Sequence, residues 1–168
     1  MAADLTLRPA TEADAELVWT CRQELEGTNA VQSAMPDYAG HCAWMARAVR
    51  APGNLFLIGE QDGTGGRAGV GYVRIDALED GSGEGAGWRV SIGLLAAMQG
   101  RGLGRAALEA GCARAEAQGL TPLFADIHRD NPASRRIFEA CGFAPVPGEQ
   151  AGADGFRRFR RPAARMTA

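Results

Sequence analysis

The chain has 168 residues, 46% apolar and 23% charged, with 18 basic side chains against 20 acidic ones. That balance predicts a single folded domain over residues 1–168, excludes intrinsic disorder, and supplies no global positive charge for nucleic acid. All 18 basic residues are Arg, so a P-loop nucleotide triphosphatase and a Schiff-base enzyme, which both need Lys, are excluded.

Leu5 to Arg8 reads as a short first strand. Thr11-Glu12-Ala13-Asp14 forms a capping box, after which Leu17, Val18, Cys21 and Leu25 recur at helical spacing until Gly27. A second helix starts near Asp37, carries His41, Trp44, Met45, Ala48 and Val49 on one side, and stops at Pro52-Gly53. Strand patterns follow at Leu55–Ile58, Val70–Ile75 and Trp88–Leu94. On the third of these, Trp88, Val90, Ile92 and Leu94 share one face. An Ala-rich helix runs from about Gly102 to Gln118 and closes at Gly119. Leu123 to His128 is another strand. Asn131-Pro132 opens the next helix as cap and first helical residue, and Gly142 ends it. Phe143–Val146 and Phe156–Arg161 read as the last two strands, the latter as a sheet edge. Three consecutive strands predict antiparallel pairing, and the strand-helix-strand step across 88–128 predicts a parallel crossover. The expected fold is a mixed α/β twisted sheet of seven strands with four helices over both faces.

The longest uncharged apolar stretch, Ser91 to Met98, is too short to cross a bilayer. Asp4, Arg8 and Glu12 stand where a signal peptide needs an apolar core, so a cytoplasmic protein with no membrane partner is expected. Cys21, Cys42, Cys112 and Cys141 show neither a C-x-x-C pair nor a neighbouring His pair, so no metal site is expected.

Gln99-Gly100-Arg101-Gly102-Leu103-Gly104 lies between a strong strand pattern and a strong helix pattern. Alternating glycines let backbone approach a ligand closely, and the following helix adds its positive end, which together suit a pyrophosphate. The dinucleotide fingerprint G-x-G-x-x-G fails, because Arg105 stands where the third Gly belongs.

These residues resemble the Q/R-x-x-G-x-G/A signature of the GNAT superfamily of acetyl-CoA-dependent N-acetyltransferases. Asn131-Pro132-Ala133-Ser134 and then Phe138-Glu139-Ala140-Cys141-Gly142-Phe143 resemble the family's second signature, and Leu7 to Asp14 resembles its opening. The resemblance implies transfer of acetyl from acetyl-CoA to a primary amine by direct attack in a ternary complex. It implies that the N–H groups of Gln99, Gly100, Arg101, Gly102, Leu103 and Gly104 hold the pyrophosphate. It further implies that the backbone of Ile92 and Leu94 pairs with the pantetheine arm on a strand splayed from its neighbour. A backbone N–H near Leu94 would polarise the acetyl carbonyl. Asn131 and Ser134 would bond the far side of the arm. Arg105 and Arg135 would reach the ribose phosphate or simply face solvent.

An amine must lose a proton to react, which a general base assists. Asp126, twelve residues before Phe138, resembles the acidic base of the ribosomal-protein N-terminal acetyltransferases of this superfamily. His128, on the same strand face, is the second candidate. Phe138 stands where the family's proton-donating Tyr is usual, so the general acid stays open. The acceptor is expected to be a small-molecule amine or a protein N-terminus. His41 and Trp44 share one helical face, Trp19 and Arg22 another, and both resemble the amino-sugar branch of the superfamily, where an aromatic ring suits a sugar. Two other readings stand: an acetyl-CoA-binding domain without catalysis, and an RNA- or protein-binding domain using Phe156–Arg161. The oligomeric state, a homodimer included, is left open.

Overall fold

The computed structural model describes residues 5–25, 35–78 and 87–162. Gly27, read as the end of the first helix, lies outside them, as does most of the Gly-rich stretch 80–87. The elements run β1 (Thr6–Pro9), α1 (Ala15–Leu25), α2 (Tyr38–Ala48), β2 (Leu55–Gly63), β3 (Gly66–Ala77), β4 (Trp88–Leu94), α3 (Leu103–Ala117), β5 (Leu123–His128), α4 (Pro132–Ala140), β6 (Ala144–Pro145) and β7 (Phe156–Arg161). Short 3₁₀ turns precede α1 and follow β4. The seven strands form one sheet in the order β1-β2-β3-β4-β5-β7-β6. The meander β2-β3-β4 is antiparallel, and the β4-α3-β5 step is parallel, as expected.

One expectation is overturned. The Phe156–Arg161 strand is not a sheet edge: it pairs with β5 along all six residues and with β6 on its other side. A chain that returns to insert between two earlier strands leaves no mark in local residue spacing, whereas the charge run that suggested an edge has another cause. Arg158 pairs with Asp126, and Arg161 pairs with Glu116 at 2.9 Å.

Period-two alternation divides the sheet between two cores. Phe56, Ile58 and Tyr72 pack against Val18 and Cys21 of α1 and Met45 of α2. Leu57, Val73, Ile75 and Val90 face the other way, onto Leu108 and Cys112 of α3 and Phe138 of α4. The N-terminal corner is pinned by Arg8, which donates to both oxygens of Asp14 and, at 2.6 Å, to Glu60. The guanidinium holds the Asp14 carboxyl below the usual carboxylate range. Asp14 also accepts the Thr11 N–H at 2.7 Å, which completes the cap read from the sequence.

Leu108 has no exposed surface and sits where α3 meets the sheet. Leu108→Ala should cost about 2–5 kcal/mol in urea unfolding with an unchanged denaturant slope. A loss well under ~1 kcal/mol would contradict a tightly packed α3–sheet core.

Candidate active site

The site starts from an interruption in the sheet. β4 and β5 pair only at Trp88 with Leu123 and Arg89 with Phe124. The Trp88 N–H donates toward β5, to the Pro122 carbonyl at 3.0 Å. The Leu95 N–H donates the opposite way, to the Val70 carbonyl of β3 at 3.0 Å. Alternate residues of a strand point their N–H groups to the same side, so Val90, Ile92 and Leu94 aim theirs toward β5; the Arg89–Phe124 pair takes that of Val90, and those of Ile92 and Leu94 lie past it. This opens a cleft of about 440 Å³ with Ile92, Leu94 and Asp126 among its walls.

The Gly-rich loop closes one end of the cleft. Gly100 and Gly102 have φ of 71° and 76°, in the left-handed region, and an added Cβ at either would meet open space. Gly102 is the N-terminal cap of α3, so the first-turn N–H groups of that helix open onto the loop. Gly104 is buried, and a Cβ there would come within 3.3 Å of Leu94 and Ile137. The loop is tied down from a distant segment, because Glu24 of α1 accepts the Ala96 N–H at 2.6 Å. No local pattern announces that tie across 72 positions.

α4 forms the opposite wall. Asn131 caps it, accepting the Ser134 N–H at 3.0 Å, and both residues line the cleft. Gln99, Gly100, Gly102, Gly104 and Arg105 line it too. Arg101 instead turns outward onto Met98, Leu103 is buried in the core, and Arg135 pairs with Glu139 at 2.8 Å. Phe138 is buried against Phe143, with ring centroids 5.0 Å apart, and its edge lines the cleft.

A second cavity, about 570 Å³, lies on the α1–α2 face of the sheet. It shares Val90, Ser91, Ile92 and Asp126 with the first, so the two meet at the opened strand. Asp126 is held there between Arg89, 3.2 Å away, and Arg158, 3.1 Å away. His128 lines neither cavity. It stacks edge-on against Phe156, and its Nδ1 accepts the Asp130 N–H at 3.1 Å. Rings from Trp19, Tyr38, His41, Trp44, Phe56 and Tyr72 follow one another along this side. His41 and Trp44 meet as their spacing predicts, 5.4 Å apart. Arg22, however, does not pair with Trp19: its guanidinium lies over Trp44 of α2 at 5.2 Å, because that ring is the apolar surface facing it across the helix pair. Arg47, Arg74, Asp76 and Tyr72 also line this cavity, and sequence reasoning missed all four. Burial pushes the Tyr72 hydroxyl up to about 12, so it keeps its proton.

The family model described as "Acetyltransferase (GNAT) domain" matches residues 4–144. The chain belongs to the GNAT acetyltransferase family. No curated protein sequence matches it. Among solved structures it is similar to yncA from Salmonella typhimurium, solved with its cofactor acetyl-CoA, at TM-score 0.75 and 24% identity over 98% of this chain and 97% of that one. It is also similar to a GNAT superfamily phosphinothricin acetyltransferase from Sinorhizobium meliloti in complex with acetyl-CoA, at TM-score 0.74 and 22% identity over 95% and 89%. A ribosomal-protein-alanine N-acetyltransferase from Brucella melitensis gives TM-score 0.76 and 23% identity over 94% and 99%. These likenesses carry the GNAT fold. Among the described residues no helix is long and apolar enough to cross a membrane.

In this GNAT domain His41 is buried, with Nε2 2.8 Å from the Ala15 carbonyl oxygen. The carbonyl accepts, so Nε2 carries the proton, and Nδ1 has no partner among the described residues. Burial lowers the pKa of His41 below its ordinary value of ~6.5. The unfolded chain therefore takes up that proton first as pH falls. The contribution to stability is complete above ~6.5 and declines below it. Urea unfolding at pH 7.5 and 5.5 should show a steeper loss in the wild type than in His41→Gln. Equal losses would contradict a buried neutral His41.

Proposed function

We propose that the chain is one acetyltransferase domain that transfers an acetyl group from acetyl-CoA to a primary amine by direct attack in a ternary complex. One observation carries the reading: β4 opens from β5 beside a Gly-capped helix, and a second cavity reaches the same opened residues. The cleft fits the proposed cosubstrate by its donor set. Ile92 and Leu94 offer N–H groups along it, the loop 99–104 offers N–H groups at a helix N-terminus, and the lining between them is largely apolar. When bound, acetyl-CoA supplies an acyl group activated as a thioester.

The residues then divide the work. The Leu94 N–H stabilises negative charge developing on the acetyl oxygen. Asn131 and Ser134 hold the arm from α4. Asp126, standing where the cavities meet, accepts the proton of the attacking amine, directly or through a water. Arg89 and Arg158 fix its carboxylate in place. His128, the second candidate base, sits outside both cavities and is the weaker choice. The new C–N bond forms as the C–S bond breaks. Phe138 has no proton to give, so the thiolate, with an ordinary pKa of ~8.5, leaves unprotonated or takes a proton from water. The four cysteines are free, which suits a reducing, cytoplasmic setting.

Gly102→Val should abolish measurable acetyl-CoA binding in calorimetry, because a β-branched residue disfavours the left-handed φ that the loop requires. Normal binding by the folded variant would overturn the placement of the pyrophosphate. Asp126→Asn should lower turnover about 10²–10⁴-fold, while His128→Ala should leave most of it. Near-normal turnover in Asp126→Asn, with an unchanged pH profile, would remove Asp126 as the base. Phe138→Tyr should raise the rate only modestly, since nothing aims the new hydroxyl. A gain of about a hundredfold or more would show that thiolate protonation limits the native reaction.

A further inference from the structure

The acceptor cavity is basic on a chain that is acidic overall. The described residues lining it include Arg22, Arg47, Arg74 and Arg89 against Asp76 and Asp126, while the whole chain has net charge −2. The two carboxylates are already engaged. Asp76 takes Arg74 at 2.7 Å, and Asp126 is shared between Arg89 and Arg158. Arg22 and Arg47 pair with no carboxylate among the described residues.

Position matters as much as charge. Asp126 and Ile92 belong to both cavities, so the reacting amine sits at that end. Arg22, Arg47 and Trp44 line the acceptor cavity and not the cleft. Trp44 steadies two of the cations, with the guanidinium of Arg22 at 5.2 Å and that of Arg74 at 4.9 Å from its ring. A guanidinium lying over a ring leaves its in-plane N–H fork for a ligand. That fork matches the two oxygens of a carboxylate or phosphate. A neutral amine would leave this charge uncompensated in a half-enclosed cavity.

We propose that the acceptor is a small primary amine carrying an anionic group, a carboxylate or a phosphate, which Arg22 and Arg47 hold on the part of the cavity wall that the cleft does not share. The inference rests on the acetyl-transfer reading above and narrows its acceptor. It favours amino acids and phosphorylated amino sugars over neutral sugars and neutral peptide N-termini.

Matched pairs test it. Acetyl transfer is followed with an amino acid against its amide, and with an amino-sugar phosphate against the unphosphorylated sugar. At least one anionic member should exceed its neutral partner by about 10- to 100-fold in kcat/KM, the worth of one or two charge-assisted hydrogen bonds. Which pair shows the gap tells carboxylate from phosphate. In Arg22→Gln and Arg47→Gln the preference should fall toward one, chiefly through a raised KM. Both positions lie on helices near the surface, and unchanged acetyl-CoA heats would show that the variants are folded. Neutral members turned over as fast as their anionic partners, or a preference that survives both variants, would overturn the inference while leaving acetyl transfer intact. No acetyl-CoA heat and no turnover with any amine would overturn the acetyl-transfer reading, and this inference with it.

Discussion

Two residue pairs join β4 to β5, and the rest of the site depends on what happens after them. Once the strands part, the N–H groups of Ile92 and Leu94 have lost their ladder on that side, and a buried unpaired N–H is costly. A ligand with acceptors spaced along its length removes that cost, so the opened strand is both a weakness in the sheet and a template. The weakness is tolerated because β4 is held elsewhere. It pairs with β3 along all seven residues, and Val90 packs into the α3 core. Gly104 lets α3 lie close to Leu94 and Ile137, so the loop and the opened strand are positioned together.

The sheet gives its two faces different tasks. One is closed by α3 and α4 over an apolar core. The other carries Arg74, Asp76, Arg89, Asp126 and Arg158, a set of half-buried charges uncommon in a purely structural sheet. These charges persist because each carboxylate meets at least one guanidinium, and Asp126 meets two. Pairing lets the charges persist there, and among the described residues lining the cavity the cations outnumber the anions. The aromatic series from Trp19 to Tyr72 walls the same face and keeps α1 and α2 in register with it.

Much of this was legible in the sequence, for identifiable reasons. Caps, glycine stops and period-two alternation are local, and they located all seven strands and four helices to within a few residues, apart from extra length in β2 and β3. The loop 99–104 was legible because Gly100 and Gly102 stand where the backbone needs positive φ. What stayed hidden is non-local. The insertion of β7 beside β5 is a matter of topology, so the Arg of Phe156–Arg161 looked like edge protection when Arg158 in fact steadies Asp126. Arg22 seemed a partner for Trp19 because helical spacing reports neighbours only within one helix. Arg47, Arg74 and Tyr72 carry no motif, and only the folding of α2 over β3 brings them to one cavity. The Glu24 bond to Ala96 was invisible for the same reason.

The central claim is that the opened side of β4 receives acetyl-CoA. Residue-resolved amide hydrogen exchange, with and without acetyl-CoA, tests it most directly. The account predicts new protection at Ile92, Leu94 and the loop 99–104, with Ser91 and Gly93 unchanged because they already bond to β3. Protection of Ser91 and Gly93 alone, or none on β4 while acetyl-CoA is bound, would contradict it.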